Sequence, residues 1–366
     1  MRIGRRAVLA GMAAGLATPA RAQISPMAEA FAGWMARNQV ANGVLALALG
    51  GRLVLLEGFG GRDPAQRQPV WSLSKFVTGL AVARLAAQGR LALDMPLARA
   101  MPRRLARHGA TASPLAKVTI AQLLTHRSGL PRSPGGEDVP GLRAALRARP
   151  PHGLATEDLA PALFAAEPAR SPGEAYEYSN SNFLLAGFAV EEAAGEPYAA
   201  FAAREVLGRV GIRRAALDGS WGLLGATGGW SLSAPEYLGL MLRGLQGETL
   251  VPPAVRRWME DPQGKAISAG GAAFYSLGLH GRPVEGGLNR WHAGTWRFRW
   301  PAWQVDENSG TLAVLAADRA AWFAAFAPHP GDAAVAELDR VLWAGRRAMA
   351  AAPGADRFGA FLDPLR

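Results

Sequence analysis

Cysteine is absent from the 366-residue chain. That excludes disulfides, thiolate zinc sites and a cysteine nucleophile together. It also suits an oxidising compartment, where a free thiol is a liability. Lysine is nearly absent: Lys75, Lys117 and Lys265 are the only three, so the formal charge of +11 is almost wholly arginine. The arginines are scattered among Ala, Leu and Gly rather than packed into basic runs with interleaved aromatics. A nucleic-acid surface needs a concentrated patch or a known motif, so no nucleic-acid partner is expected. No apolar run is long enough to span a bilayer, which argues against stable membrane insertion. The Gly-x-Ser-x-Gly elbow is missing, which argues against an α/β-hydrolase. His-Glu-x-x-His, a phosphate loop and a dinucleotide fingerprint are missing too, so neither a metal nor an organic cofactor is expected.

What is present is ordinary globular composition, 49% hydrophobic and 19% charged. The length suits one large domain or two small ones, with ample chain to bury a core and wall a pocket. Residues 1–22 read as an export signal: a basic start through Arg6, an apolar stretch from Ala7 to Ala20, then Ala20-Arg21-Ala22 as a cleavage site before Gln23. Arg5-Arg6 followed by Ala7-Val8-Leu9 resembles a twin-arginine signal. The segment holds four arginines and no acid, so the mature charge is +11 − 4 = +7. A periplasmic or secreted protein is expected.

Hydrophobic spacing predicts a helix over 25–39 and a β-hairpin of 43–49 with 52–56 around Gly50-Gly51. A helix from Ser72 to Gln88 carries Phe76, Leu80, Val82, Ala83 and Leu85, and so many apolar residues place it inside the molecule. Residues 92–170 read as short helices and basic loops, with a flexible flap over 132–153. Further helices are predicted over 181–194, 197–207, 234–246 and 333–350. Strands are predicted over 274–280, 290–298, 300–305 and 311–316. Strands at both ends with helices between predict an α/β (α+β) fold: an antiparallel sheet flanked by N- and C-terminal helices. A helical subdomain is inserted at roughly 96–230.

Three segments could carry chemistry. In Ser72-Leu73-Ser74-Lys75, positions i and i+3 share a helix face, which puts the Ser72 hydroxyl beside the Lys75 amine. A serine is a poor nucleophile until something takes its proton, and a desolvated lysine can do so. In Tyr176-Glu177-Tyr178-Ser179-Asn180, the side chains of Tyr178 and Asn180 face one way if the loop is extended. In His292-Ala293-Gly294-Thr295, the glycine would let a substrate lie along the strand edge. The Thr295 N–H could then join that of Ser72 as an oxyanion hole.

The three segments, in this order and at wide spacing, resemble the serine β-lactamase and penicillin-binding-protein superfamily. Within it they are closest in kind to the class C β-lactamase-like branch of esterases and D-amino-acid peptidases. The resemblance runs from about Gly43 to Ala317. It also takes in Leu91-Ala92-Leu93-Asp94-Met95-Pro96, Leu123-Leu124-Thr125-His126-Arg127-Ser128-Gly129-Leu130, Ser171-Pro172-Gly173-Glu174 and Gly228-Gly229-Trp230-Ser231-Leu232-Ser233. It implies a β-lactamase/transpeptidase-like fold, Ser72 as acyl-forming nucleophile and Lys75 as its proton acceptor. Tyr178 would share proton transfer, Asn180 would orient the substrate, and His292, Ala293, Gly294 and Thr295 would edge the pocket. Whether Lys75 or Tyr178 is the acylating base stays open at this point. His126 reads as structural.

The third motif departs from the superfamily's usual Lys-Thr/Ser-Gly. A histidine is mostly neutral at pH 7, and alanine has no hydroxyl. This favours a small ester or amide without the carboxylate that β-lactams and peptides carry. Arg297 and Arg299 follow on the same strand and read as surface residues. Trp296, Phe298, Trp300 and Trp303 either line the pocket, implying an apolar substrate, or face the core. The leading expectation is an esterase or amidase. A β-lactamase or D-Ala-type peptidase is the second, and a catalytically silent binding or sensor protein on the same fold is the third.

Overall fold

The structure, a computed structural model, describes residues 25–133, 137–247 and 250–351. The export segment and Pro134-Gly135-Gly136 of the expected flap lie outside the described residues. The chain opens with helix α1 (Pro26–Arg37), capped by the Ser25 side chain, then strands β1 (Asn42–Leu49) and β2 (Arg52–Phe59). A short 3-10 turn, Trp71–Leu73, runs into helix α2 (Ser74–Ala87). A small three-stranded sheet is made of β3 (Gln68–Pro69), β4 (Ala216–Leu217) and β5 (Trp230–Leu232). The C-terminal part supplies β6 (Phe274–Ser276), β7 (Leu279–Val284), β8 (Gly287–Trp300), β9 (Val305–Leu315) and β10 (Ala321–Ala327), then the helix Asp332–Ala351.

The main sheet has the order β2-β1-β10-β9-β8-β7-β6, and its neighbouring pairs are antiparallel. It is covered on both faces, which is why its central strands read as continuous apolar runs rather than alternating ones. Along β1, Val44, Ala46 and Ala48 enter one core, while Leu45 and Leu47 enter the other. Along β10, Ala321, Phe323 and Ala325 oppose Trp322, Ala324 and Phe326 in the same way. The second core is roofed by α1 and the C-terminal helix, tied by the Trp34 indole N–H donating to the Ala334 carbonyl at 2.9 Å. The first core holds α2, in which Ser74 through Ala83 are all buried.

Three local expectations are corrected. The strand expected over 274–280 is two strands, broken at Leu277 and Gly278, whose φ values are +53° and +87°. The stretch expected as a strand over 300–305 is the turn Pro301–Trp303 between β8 and β9, because Pro301 cannot donate to a ladder. Strand β10 has no counterpart among the expected strands. Its alanine-rich sequence has no period-2 alternation to reveal it.

The break at Leu277-Gly278 seats the sheet on α2. A Cβ at Gly278 would stand 2.4 Å from the Lys75 carbonyl oxygen, and one at Gly79 would stand 2.2 Å from the Leu277 carbonyl oxygen. Neither backbone can yield without moving the helix. Gly278→Ala is therefore expected to lower unfolding free energy by about 2 kcal/mol or more, through clash and left-handed strain together. Urea titration measures it, and an unchanged midpoint would contradict this packing.

Candidate active site

Ser72 lies in the turn leading into α2, preceded by Trp71 at φ +51°. A tryptophan in the left-handed region is strained, and such strain is held only where the surroundings over-determine it. Here they do. The Trp71 indole N–H donates to Ser309 Oγ at 2.9 Å, and the ring stacks on Trp296 at 6.3 Å. A Cβ at Gly294 would lie 2.7 Å from the Val70 carbonyl oxygen and 2.9 Å from Trp71 Cβ. Gly294 thus makes room for the turn that carries Ser72.

Lys75 is fully buried. Its Nζ lies 3.0 Å from Ser72 Oγ, 2.8 Å from Asn180 Oδ1 and 2.9 Å from the Thr227 carbonyl oxygen. Among the described residues, no carboxylate is among the charges acting on it. Burial first, then the positive charge of Arg132, hold its pKa well below the ordinary lysine value. Tyr178 OH lies 2.8 Å from Ser72 Oγ, and burial pushes this phenol above its ordinary value. The helix Asn180–Ala194 begins at Asn180, whose Oδ1 also accepts from Thr227 Oγ1 and whose amide donates to the Asp138 carbonyl. Ser72, Lys75, Tyr178 and Asn180 are therefore brought together, by two elements more than a hundred residues apart in sequence.

The third segment divides by strand parity. Along β8, Trp296 belongs to the first core with Phe298 and Trp300 packed on it, while Trp291 and Ala293 pack on the second. His292 is buried on the site side. Its Nδ1 is 2.6 Å from the Ala293 carbonyl oxygen, which requires a proton on Nδ1, so Nε2 accepts from Tyr275 OH at 3.0 Å. Burial keeps the imidazole well below the ordinary histidine value. The ring is neutral and both nitrogens are engaged. Thr295 turns its side chain to the outer face, where Oγ1 meets His329 Nε2 at 3.1 Å, so only its main chain can serve the site. Beyond Trp291, β8 pairs with β9 alone, which leaves one edge open along the cleft.

The cleft encloses about 620 Å³, the size of a small-molecule site. Trp296 and Phe298 form one wall, stacked at 5.6 Å and 11°. Phe298 continues onto Trp300 at 6.2 Å and 11°. Trp303 is 40% exposed and does not line the cleft. Arg297 sits at the mouth, 3.8 Å from Asp332, while Arg299 is exposed, 3.9 Å from Asp306 and outside the cleft. Further lining comes from the segment expected as a flap, which contributes Arg132, Asp138, Val139, Leu142 and Arg143 and contains the helix Leu142–Ala148. Arg132 was not among the expected site residues. Its guanidinium lies 5.9 Å from the Tyr178 ring centroid, and only its closeness to the Ser-Gly-Leu-Pro turn could have pointed to it. Among the described residues no cluster of three or more His, Cys, Asp or Glu is placed to hold a metal ion, and no helix is long and apolar enough to cross a membrane.

Known proteins resemble this chain in part and as a whole. Protein flp of Staphylococcus aureus is 29% identical over 158 residues, 40% of this chain and 29% of that one. Esterase EstB of Burkholderia gladioli is 35% identical over 150 residues, 39% of this chain and 36% of that one. These matches span about a third of each curated relative's length. Among solved structures, the octameric penicillin-binding protein homologue from Pyrococcus abyssi aligns with a TM-score of 0.69 at 19% identity, over 88% of this chain and 77% of that one. The D-amino acid amidase from Ochrobactrum anthropi SV3 aligns with a TM-score of 0.67 at 17% identity, over 87% of this chain and 99% of that one. At such identities the likeness shows the fold. The Beta-lactamase family model matches residues 27–362, nearly the whole chain, and the chain belongs to that family of serine hydrolases.

Proposed function

We propose that this protein hydrolyses small esters or amides with an apolar acyl group, through an acyl-enzyme on Ser72. The observation that carries the reading is Ser72 Oγ held between Lys75 Nζ and Tyr178 OH, at 3.0 and 2.8 Å. A neutral amine matches its surroundings: two N–H groups for Asn180 Oδ1 and the Thr227 carbonyl, and a lone pair for the Ser72 hydroxyl. The depressed lysine and raised phenol divide the labour. Lys75 takes the Ser72 proton as Oγ bonds to the substrate carbonyl carbon. Tyr178 protonates the leaving oxygen or nitrogen as the scissile bond breaks, and the proton on Lys75 restores the phenol. Water then attacks the acyl carbonyl, gives its proton to the same pair, and Ser72 leaves with a proton. Ester plus water becomes acid plus alcohol.

The Trp296–Phe298 wall and the uncharged His292 support an apolar, neutral substrate. Arg132 at the cleft favours a second reading, a carboxylate-bearing β-lactam or D-Ala-type peptide. A short-chain p-nitrophenyl ester and a chromogenic cephalosporin separate the two. The ester is expected to turn over, and cephalosporinase activity without esterase activity would overturn the first reading. Ser72→Ala is expected to lower kcat/KM by about 10³-fold or more and to abolish labelling by a fluorophosphonate. A wild-type protein that resists the label would favour a silent binding protein. For export, we propose cleavage after Ala22. N-terminal sequencing of the exported protein is expected to begin at Gln23, and a retained Met1 would contradict it.

The pH dependence follows from the sign at Lys75. Its amine must be unprotonated to accept the serine proton, so kcat/KM rises with pH through its ionisation. Arg132 pushes that ionisation down. Arg132→Gln removes the positive charge, so Lys75 holds its proton to higher pH and the acid limb moves upward. A pH–rate profile tests this, and an unmoved or acid-shifted limb would count against the assignment.

A further inference from the structure

The helix Ile120–Leu124 ends at His126 in a left-handed turn, φ +53°. Its N–H donates to the Leu123 carbonyl at 3.1 Å, and the Arg127 N–H donates to the Gln122 carbonyl at 2.8 Å. These are the two bonds of a Schellman helix end, whose left-handed position usually holds glycine. A side chain there carries a steric cost that glycine avoids. The backbone alone therefore calls for glycine, and the imidazole needs another reason to be there.

That reason lies in what the residue holds. His126 Nδ1 accepts the Ser179 backbone N–H at 3.2 Å and faces Asn182 Nδ2 at 3.0 Å. Its carbonyl accepts the Glu177 N–H at 2.8 Å. The backbone is thus gripped immediately before and immediately after Tyr178. A backbone N–H can only donate, so Nδ1 carries no proton and Asn182 turns its NH₂ toward it. The ring proton is on Nε2, which has no hydrogen-bond partner among the described residues. The ring also packs against that of Tyr178 at 4.4 Å. Burial leaves the imidazole neutral, as an acceptor at Nδ1 must be.

We infer that His126 is a positioning residue: its Nδ1 fixes the Tyr178–Asn180 segment so that Tyr178 OH meets Ser72 Oγ. The inference rests on the proposed roles of Ser72 and Tyr178, and its test separates the two. The readouts are the rate at which a fluorophosphonate labels Ser72 and the kcat and KM for a short-chain p-nitrophenyl ester. His126→Phe keeps the bulk and loses the acceptor. It is expected to slow labelling and lower kcat by about 10²-fold, with KM within about threefold, as a misplaced catalytic group would. His126→Asn tolerates the left-handed turn and keeps an acceptor near Nδ1, and is expected to stay within about fivefold of wild type. His126→Gly suits the backbone and lacks the ring, so it is expected to fold with reduced activity even if His126→Phe does not fold.

The deciding comparison is a double-mutant cycle. In a Tyr178→Phe background, His126→Phe is expected to change the labelling rate by less than about twofold, because the group it positions is gone. Full additivity, or no rescue by asparagine, would overturn the inference and leave His126 with a packing role. If Tyr178→Phe labels as fast as wild type, the role given to Tyr178 fails instead. A wild-type protein that is not labelled overturns the acyl-enzyme reading and this inference with it.

Discussion

The structure depends on burying one amine without a counter-ion. Placing an ammonium in a dry interior costs several kcal/mol unless charges and hydrogen bonds replace its water. Among the described residues, Lys75 is given hydrogen bonds and no carboxylate. Its partners come from three separate parts of the chain: Ser72 one turn away, Asn180 at the start of a later helix, and the Thr227 carbonyl just before β5. Thr227 also bonds Asn180, so the two acceptors hold each other in place. The fold spends much of its core keeping water out: Phe76, Phe183 and Tyr275 are among its most fully buried side chains, and the Phe183 ring lies 5.8 Å from Nζ. In the proposed reaction, a lysine made neutral by its surroundings is what lets the half-buried Ser72 hydroxyl give up its proton.

Strand β8 shows how one sheet element serves two purposes. Its parity sends His292, Trp296 and Phe298 to the cleft and Ala293 and Thr295 to the outer face under the C-terminal helix. Gly294 lies between, where the turn carrying Ser72 presses on the sheet. The strained Trp71 sits at this close approach. A larger residue at 294 would press on Val70 and Trp71 and displace the turn that carries Ser72. The glycine of this triplet is therefore needed for the fold around Ser72.

Much of this was legible in the sequence because helical and extended spacing are local. The i, i+3 step places Lys75 beside Ser72, and the two-residue step places Tyr178 and Asn180 together once the loop is known. Other features are not local. Strand β10 hides in Ala321–Ala327 because alanine marks neither face of a strand and both faces are covered. Leu277 adopts a conformation usual for glycine, so the kink between β6 and β7 leaves little signal beyond Gly278. Arg132 enters the site only because the chain after Pro131 folds back over Tyr178, and its residue type says nothing of that. His126 read as structural for a sound reason, since a lone histidine is most often a satisfied core residue. The sequence does not show that its acceptor nitrogen meets Ser179, 53 positions later.

The second and third motifs are also joined to each other, through Tyr275 on β6. Its hydroxyl donates to His292 Nε2 at 3.0 Å, its ring lies 4.6 Å from His126, and it meets Tyr178 edge-on at 6.4 Å. One buried phenol thus touches the residue that grips the Tyr178 loop, Tyr178 itself, and the histidine of the third motif. Burial pushes Tyr275 well above the ordinary phenol value, so it remains a donor and His292 remains an acceptor at Nε2. With its Nδ1 proton directed to the Ala293 carbonyl, the histidine has no N–H left for a substrate. A lysine in its place would set a charge against this buried phenol and beside the His280 ring, which lies 5.3 Å from that of His292. The neutral third motif and the histidine-gripped second motif are therefore one packing solution, and the cleft's positive charge comes from Arg132, Arg143 and Arg297 instead.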